Sequence, residues 1–251
     1  MTVADDARTN RLDSRLIARC EEIPSAPPVG DYVVIDVLHF SNTVIELFEN
    51  GASSVHITDE RGEEPAFKSA NPEARIGGGA TPAYDPEPGY DFFNSPSYVQ
   101  GVDVAGRPVG MTSSNGGRAV ARLRATLDDE SAVYVGSTMN ASALAAHLRD
   151  RDRPTYLVSA GSQGSVALED HVGATLISRA LDGIELSAAE KAVFAQQVKV
   201  AKGPNYAEKN DLRRRDVHDY ALAFDSRQAV PRLDGRALVD VARHGSGPAS
   251  D

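Results

Sequence analysis

Apolar residues follow two alternating rhythms along this chain. Short runs at Tyr32 to Leu38 (YVVIDVL), Ser54 to Thr58 (SVHIT), Ala132 to Val135 and Thr155 to Val158 have the length and β-branched content of strands. The first is apolar almost throughout, as a parallel strand covered on both faces must be. Between the runs the spacing changes to about 3.6 residues: Val44, Leu47 and Phe48; Ala119, Val120, Leu123 and Leu127; Leu144, Ala145 and Leu148; Leu168, Val172, Leu176 and Leu181. These stretches predict helices, the first stopped by Asn50-Gly51. Further helices are expected around Leu12 to Cys20, over Glu63 to Ala70, over Leu186 to Lys202 behind a Ser187/Glu190 capping box, and over Asn205 to Phe224. Strands alternating with helices predict an α/β fold: a largely parallel or mixed sheet with helices on both faces, built as one sheet or as two α/β lobes.

Punctuation divides the chain. Residues 1–30 read as a leader and connector, ending in the Pro-rich stretch Ile23 to Pro28. Residues 31–230 form the α/β region. Within it, residues 76–98 (IGGGATPAYDPEPGYDFFNSPSY) lose both rhythms and read as a lid loop that Tyr84, Tyr90, Phe92 and Phe93 pack down. Residues 231–251 read as a C-terminal tail that closes the fold and ends in a disordered Gly, Ser, Pro and Asp stretch.

One arrangement recurs four times: a strand, a turn of small polar residues and a helix. The turns are His39 to Asn42, Thr112 to Gly117 (TSSNGG), Gly136 to Asn140 (GSTMN) and Ser159 to Ser165 (SAGSQGS). A helix N-terminus carries free N–H groups and roughly +0.5 charge, and so favours an anion. In a parallel sheet such turns gather beyond the carboxyl ends of the strands. Asp36, Ser113, Asn115, Ser137, Asn140, Glu169 and Asp170 are therefore expected to converge. Hydroxyls and amides suit a phosphate, while carboxylates suit a hard cation such as Mg²⁺ that bridges to it. Asp36 is the first metal candidate, because a carboxylate inside an apolar strand needs a partner. Glu169 and Asp170 join it as metal and catalytic candidates. No Walker, Rossmann, zincin or nucleophile-elbow motif occurs.

Charge narrows the partners. A formal net charge of -10 argues against nucleic acid, and the basic run Arg213-Arg214-Arg215, flanked by Asp211 and Asp216, reads as a solvated helix face. No apolar run reaches membrane-spanning length and the polar N-terminus does not resemble a signal peptide, so a cytoplasmic protein without a membrane partner is expected. The single cysteine, Cys20, rules out an internal disulfide. A homo-oligomer is compatible with the sequence.

The blocks VVIDVLHFSNT, Asn94-Ser95-Pro96, SSNGGRA, VGSTMNASALA and SAGSQGSVALEDHVGA resemble, in order and spacing, those of the 2-phosphosulfolactate phosphatase family. The resemblance implies a Mg²⁺-dependent phosphatase of coenzyme M biosynthesis acting on a small phosphorylated anion. It marks Asp36, Asn94, Ser95, Asn115, Gly116, Arg118, Ser137, Asn140, Ala141, Glu169 and Asp170 as matching positions. Of these, Asn94, Ser95, Ser113, Asn115, Gly116, Arg118, Ser137 and Asn140, together with His39, are assigned to the substrate. The chain departs from the family pattern at His39, where that pattern has arginine, at Gly77-Gly78-Gly79, where it has an acidic residue, and at Gly117, where it has threonine. The departures leave open an alternative, a catalytically impaired relative that keeps the anion pocket as a sensor.

Overall fold

The computed structural model describes residues 15–149 and 151–244. Its strands are β1 (Leu16–Ile17), β2 (Asp31–Ile35), β3 (Ser54–Ile57), β4 (Arg75–Gly78), β5 (Phe92–Phe93), β6 (Pro108–Met111), β7 (Ala132–Gly136), β8 (Thr155–Ser159), β9 (Pro231–Asp234) and β10 (Ala237–Asp240). The helices are α1 (Phe40–Glu49), α2 (Glu64–Ala70), α3 (Pro96–Val99), α4 (Gly116–Thr126), α5 (Ala141–Arg149), α6 (Leu168–Leu181), α7 (Ala188–Val200), α8 (Asp211–Arg215) and α9 (Val241–His244). All ten strands join one sheet in the order β1-β8-β2-β7-β9-β10-β3-β6-β4-β5. The α/β fold expected from the two rhythms is what forms.

Parallel pairing holds within two blocks, β1-β8-β2-β7 and β3-β6-β4-β5. The β9–β10 hairpin joins them through antiparallel pairings with β7 and β3. Three successive reversals of direction separate the blocks, so a flat sheet would send their carboxyl ends opposite ways. Both sets border one cavity, which means the sheet is bent across the hairpin.

Strand alternation sorts the core onto two faces. Tyr32 and Val34 of β2 pack with Phe40, Val44 and Phe48 of α1 and Val120 and Leu123 of α4. Val33 and Ile35 pack with Leu144 of α5 and Val172, Leu176 and Ile177 of α6. Each such buried side chain contributes about 1.5–3 kcal/mol. Gly136 lets α5 and α6 approach β7 closely, since a Cβ there would lie 2.6 Å from Val33 and 2.8 Å from both Leu144 and Ile177. Among the described residues no helix is long and apolar enough to cross a membrane.

Four expectations change. The helix expected at Leu12 to Cys20 lies partly outside the described residues; within them, Leu16–Ile17 is a strand on β8 and Cys20–Glu22 a 3₁₀ turn. The 76–98 stretch is not one loop: it contains β4, β5 and α3, with Phe92 and Phe93 buried, so its Gly and Pro residues punctuate very short elements. The helix over Asn205 to Phe224 breaks into a 3₁₀ turn (Ala207–Lys209), α8 and a π-helical turn (Asp216–Ala221). The break falls at Asn210, whose side chain accepts the Arg213 N–H at 2.9 Å and so starts a new helix. Residues 231–240, read as part of a tail, form the hairpin at the centre of the sheet, where Leu238 is fully buried. Of the rest of that tail, Val241–His244 is α9, and residues 245–251 lie outside the described residues.

Candidate active site

The carboxyl ends of β2, β4, β5 and β6 border a cavity of about 430 Å³. Asp36 and His39 line it after β2, Gly78 and Gly79 at the end of β4, Asn94 after β5, and Thr112 to Asn115 after β6. The β8–α6 loop adds Ser162 and Gln163, and the segment after α7 adds Lys202, Tyr206 and Arg213.

Asp36 sits where β2 gives way to α1, 5 % exposed, and its Oδ2 accepts the Gly116 N–H at 2.9 Å. The first amide of α4 is thus capped by a side chain 80 residues away in sequence. Glycine is required at 116, because a Cβ would lie 2.3 Å from the Phe40 ring and 2.9 Å from Asp36 Oδ2. The next amides are occupied as well: Gly117 N–H donates to Ser113 Oγ at 2.8 Å and Arg118 N–H to the Ser113 carbonyl at 3.2 Å. These three amides, expected to cradle an anion, serve the protein instead.

Two further carboxylates stand behind Asp36 at the start of α6. Asp170 accepts the Val37 N–H at 2.9 Å through Oδ1 and the Gly161 N–H at 3.1 Å through Oδ2, tying the ends of β2 and β8 together. Glu169 meets the Lys202 ammonium at 2.7 Å through Oε1, while its buried Oε2 has no partner. Burial pushes the Asp36 carboxyl up to about 6, Gly116 and Lys202 opposing the rise and the Glu169 charge adding to it. Asp170 is held well above the usual range by burial and then by the charges of Asp36 and Glu169. Burial works against the Lys202 ammonium, but the Glu169, Asp36 and Asp170 charges outweigh it and keep its pKa raised.

His39 is buried, with Nε2 2.6 Å from the Tyr206 hydroxyl. Burial, then Arg213 and Lys202, hold its pKa well below the ordinary value, so it is a neutral wall and no substitute for a permanent cation. The cations present are Lys202 and Arg213, with Arg61 at the rim.

Of the residues expected from sequence, Asp36, His39, Asn94, Ser113 and Asn115 line the cavity, Gly116 lies against Asp36, and Glu169 and Asp170 stand behind it. Four lie elsewhere. Ser95 caps α3 and donates to the buried Asp216 at 2.7 Å. Arg118 is half-exposed and pairs with Glu21. Ser137 bonds Asn42, and Asn140 donates to the Ala229 carbonyl at 2.9 Å and accepts the Ser137 N–H at 2.9 Å. The polar groups of the turn after β7 therefore serve the protein itself, Asn140 holding the backbone of its C-terminal segment and Ser137 the side chain of Asn42 in α1. Lys202, Tyr206 and Arg213 were missed, and Arg213 is no solvated helix residue: its side chain is 13 % exposed and turned to the cavity. The available signal was the pair of Tyr84 and Tyr206 as aromatic partners for a guanidinium, which only the fold brings together.

The model of the 2-phosphosulpholactate phosphatase family matches residues 18–217, well over half of the chain. The chain belongs to that family. Among similar proteins named probable 2-phosphosulfolactate phosphatase, that of Deinococcus radiodurans is 35% identical over 167 residues, covering 65% of this chain and 66% of its own length. That of Gloeobacter violaceus is 30% identical, with 65% and 67% covered. That of Clostridium beijerinckii is 26% identical but aligns over 83% of this chain and 91% of its own length. The chain thus spans about two thirds of the length of the first two relatives. The family match takes in Asp36, Glu169, Asp170, Lys202 and Arg213 and stops before the β9–β10 hairpin.

Proposed function

We propose that the chain is a phosphatase that hydrolyses a small phosphorylated hydroxy acid of the 2-phosphosulfolactate type, with sulfolactate as product and the coenzyme M route as its context. The observation that carries the reading is a cavity where one wall joins a buried carboxylate cluster, Asp36, Glu169 and Asp170, to two cations, Lys202 and Arg213. Family membership supplies the reaction class.

The donor set suits Mg²⁺ in part. Glu169 Oε2 is a buried oxygen with no partner and Asp36 is on the cavity wall, whereas both oxygens of Asp170 are taken by backbone amides. Among the described residues no group of three or more His, Cys, Asp or Glu side chains is arranged to hold a metal. A Mg²⁺ would therefore rest on Asp36 and Glu169, with Asp170 positioning the strand ends and water or substrate oxygens completing the shell. Bound there, it would polarise the phosphoryl group and orient the attacking water.

The chain's own residues supply the rest. Lys202 neutralises charge developing on the phosphoryl oxygens and keeps Glu169 in place, and Asn94 and Asn115 offer hydrogen bonds from the wall. The test is phosphate release from 2-phosphosulfolactate and from 2-phospholactate, with Mg²⁺ and with EDTA. Release that needs Mg²⁺ and is lost in Asp36→Asn is the expected result. No release from either compound, or full activity in Asp36→Asn, would overturn the reading.

A further inference from the structure

Arg213 differs from the other cavity cations in how it is held. Its Nη1 lies 3.3 Å from Asp216 Oδ2. Asp216 is itself fully buried and fixed by the Ser95 hydroxyl at 2.7 Å and by the Ser97 amide at 3.0 Å, so it cannot swing away. The guanidinium carbon lies 5.0 Å from the Tyr84 ring centroid and 5.7 Å from that of Tyr206. Tyr84 comes from the loop between β4 and β5, where it has a φ of +65° in a turn closed by its own N–H on the Thr81 carbonyl at 3.0 Å. Arg213 Nε, finally, is a buried donor with no hydrogen-bond partner.

We infer that Arg213, framed by Tyr84 and Tyr206, is the subsite for the sulfonate of the substrate, which stays on the product. The inference rests on the proposed phosphatase reading and adds what decides its specificity. A substrate carrying a phosphate, a sulfonate and a carboxylate needs unlike sites to fix which group reaches the carboxylate cluster. Around Asp36 the carboxylates would repel any anion that did not arrive with a neutralising cation. On the Arg213 side, Asp216 pairs with Nη1 and is fixed by the Ser95 hydroxyl and the Ser97 amide, which leaves Nε without a partner. A sulfonate is a monoanion with its charge spread over three oxygens, and the planar, weakly hydrated guanidinium matches it better than an ammonium does. Aromatic faces on the cation exclude water and strengthen the pair. With Nη1 on Asp216, the unpartnered Nε is the donor an incoming oxyanion would satisfy.

The experiment is calorimetric titration of the intact protein with sulfolactate and with lactate, neither of which requires turnover. Wild type should bind sulfolactate, and Arg213→Ala should weaken that binding roughly ten- to a hundred-fold while leaving lactate little changed. Arg213→Lys, which keeps a cation beside Asp216 and so guards against misfolding, should retain part of the affinity, and Tyr84→Leu should lower it several-fold. In turnover, Arg213→Lys should raise KM for 2-phosphosulfolactate more than for 2-phospholactate, with kcat less affected. Absence of sulfolactate binding in wild type, unchanged affinity in both Arg213 variants, or an equal loss for lactate would overturn the assignment. Arg213-dependent sulfolactate binding without phosphate release would support it while overturning the phosphatase reading alone.

Discussion

Replacing Asp36 by asparagine should make the metal-free protein more stable at neutral pH while disabling it. Burial raises the Asp36 carboxyl from the ordinary aspartate value near 3.9 to about 6. The folded protein therefore binds more protons than the unfolded chain between about pH 4 and 6, and stability falls as pH rises through that window. A difference of about two pKa units corresponds to about 3 kcal/mol, carried in full at pH 7. Asparagine is neutral at every pH, and its amide oxygen still accepts the Gly116 N–H, so it removes the cost and keeps the cap of α4. In a chain of this size each kcal/mol moves Tm by roughly 2–4 °C, so in EDTA at pH 7 Asp36→Asn should melt up to roughly 10 °C above wild type. The gap should close near pH 4. Added Mg²⁺ should raise the wild-type Tm and leave the variant unmoved, and phosphate release should fall at least ~10²-fold. Scanning calorimetry across pH 4–8, with and without Mg²⁺, reads all of these. A variant less stable than wild type at pH 7, or a gap independent of pH, would refute the argument that this carboxylate is strained by burial.

Lys202→Met should cost about 3–5 kcal/mol in denaturant unfolding, because it leaves the Glu169 carboxylate buried without its ion pair. Gly116→Ala should lose about 1–3 kcal/mol and most of the activity, since the added methyl group forces Phe40 and Asp36 apart. Asn140→Ala should destabilise by about 1–3 kcal/mol in the same assay without raising KM, because its partners are backbone groups of the protein itself. Arg118→Ala should change stability by less than about 0.5 kcal/mol and leave kcat/KM unchanged, as expected of a half-exposed surface pair.

Much of the architecture was legible because it is local. The apolar run of β2, the helical spacing of Leu168 to Leu181 and the Ser187/Glu190 capping box each announce an element by short-range physics, and each forms. The carboxylate cluster was legible too, since Asp36 is an anomaly within an apolar run of sequence, although the strand ends one residue before it, and Glu169 and Asp170 open a helix. Legibility ended where a polar residue had two possible partners. Ser113 and Asn140 have the chemistry to bind an anion and equally to bind nearby backbone amides, and sequence cannot say which is nearer. Ser95 and Arg118 failed for the same reason, one claimed by Asp216 and the other by Glu21. Arg213 was hidden because its two aromatic neighbours lie in separate segments, one in a loop without periodicity.

The hairpin of β9 and β10 has a consequence for how the molecule is made. Among the described residues it follows every other strand in chain order, yet it stands between the two parallel blocks. During synthesis both blocks leave the ribosome before the piece that bridges them, each with a bare edge, at β7 and at β3. Such edges invite pairing with a neighbouring chain until the hairpin inserts like a keystone. Removing residues 231–240 would thus expose two raw flanks at the heart of the sheet, and would let the bend that brings the carboxyl ends together spring open.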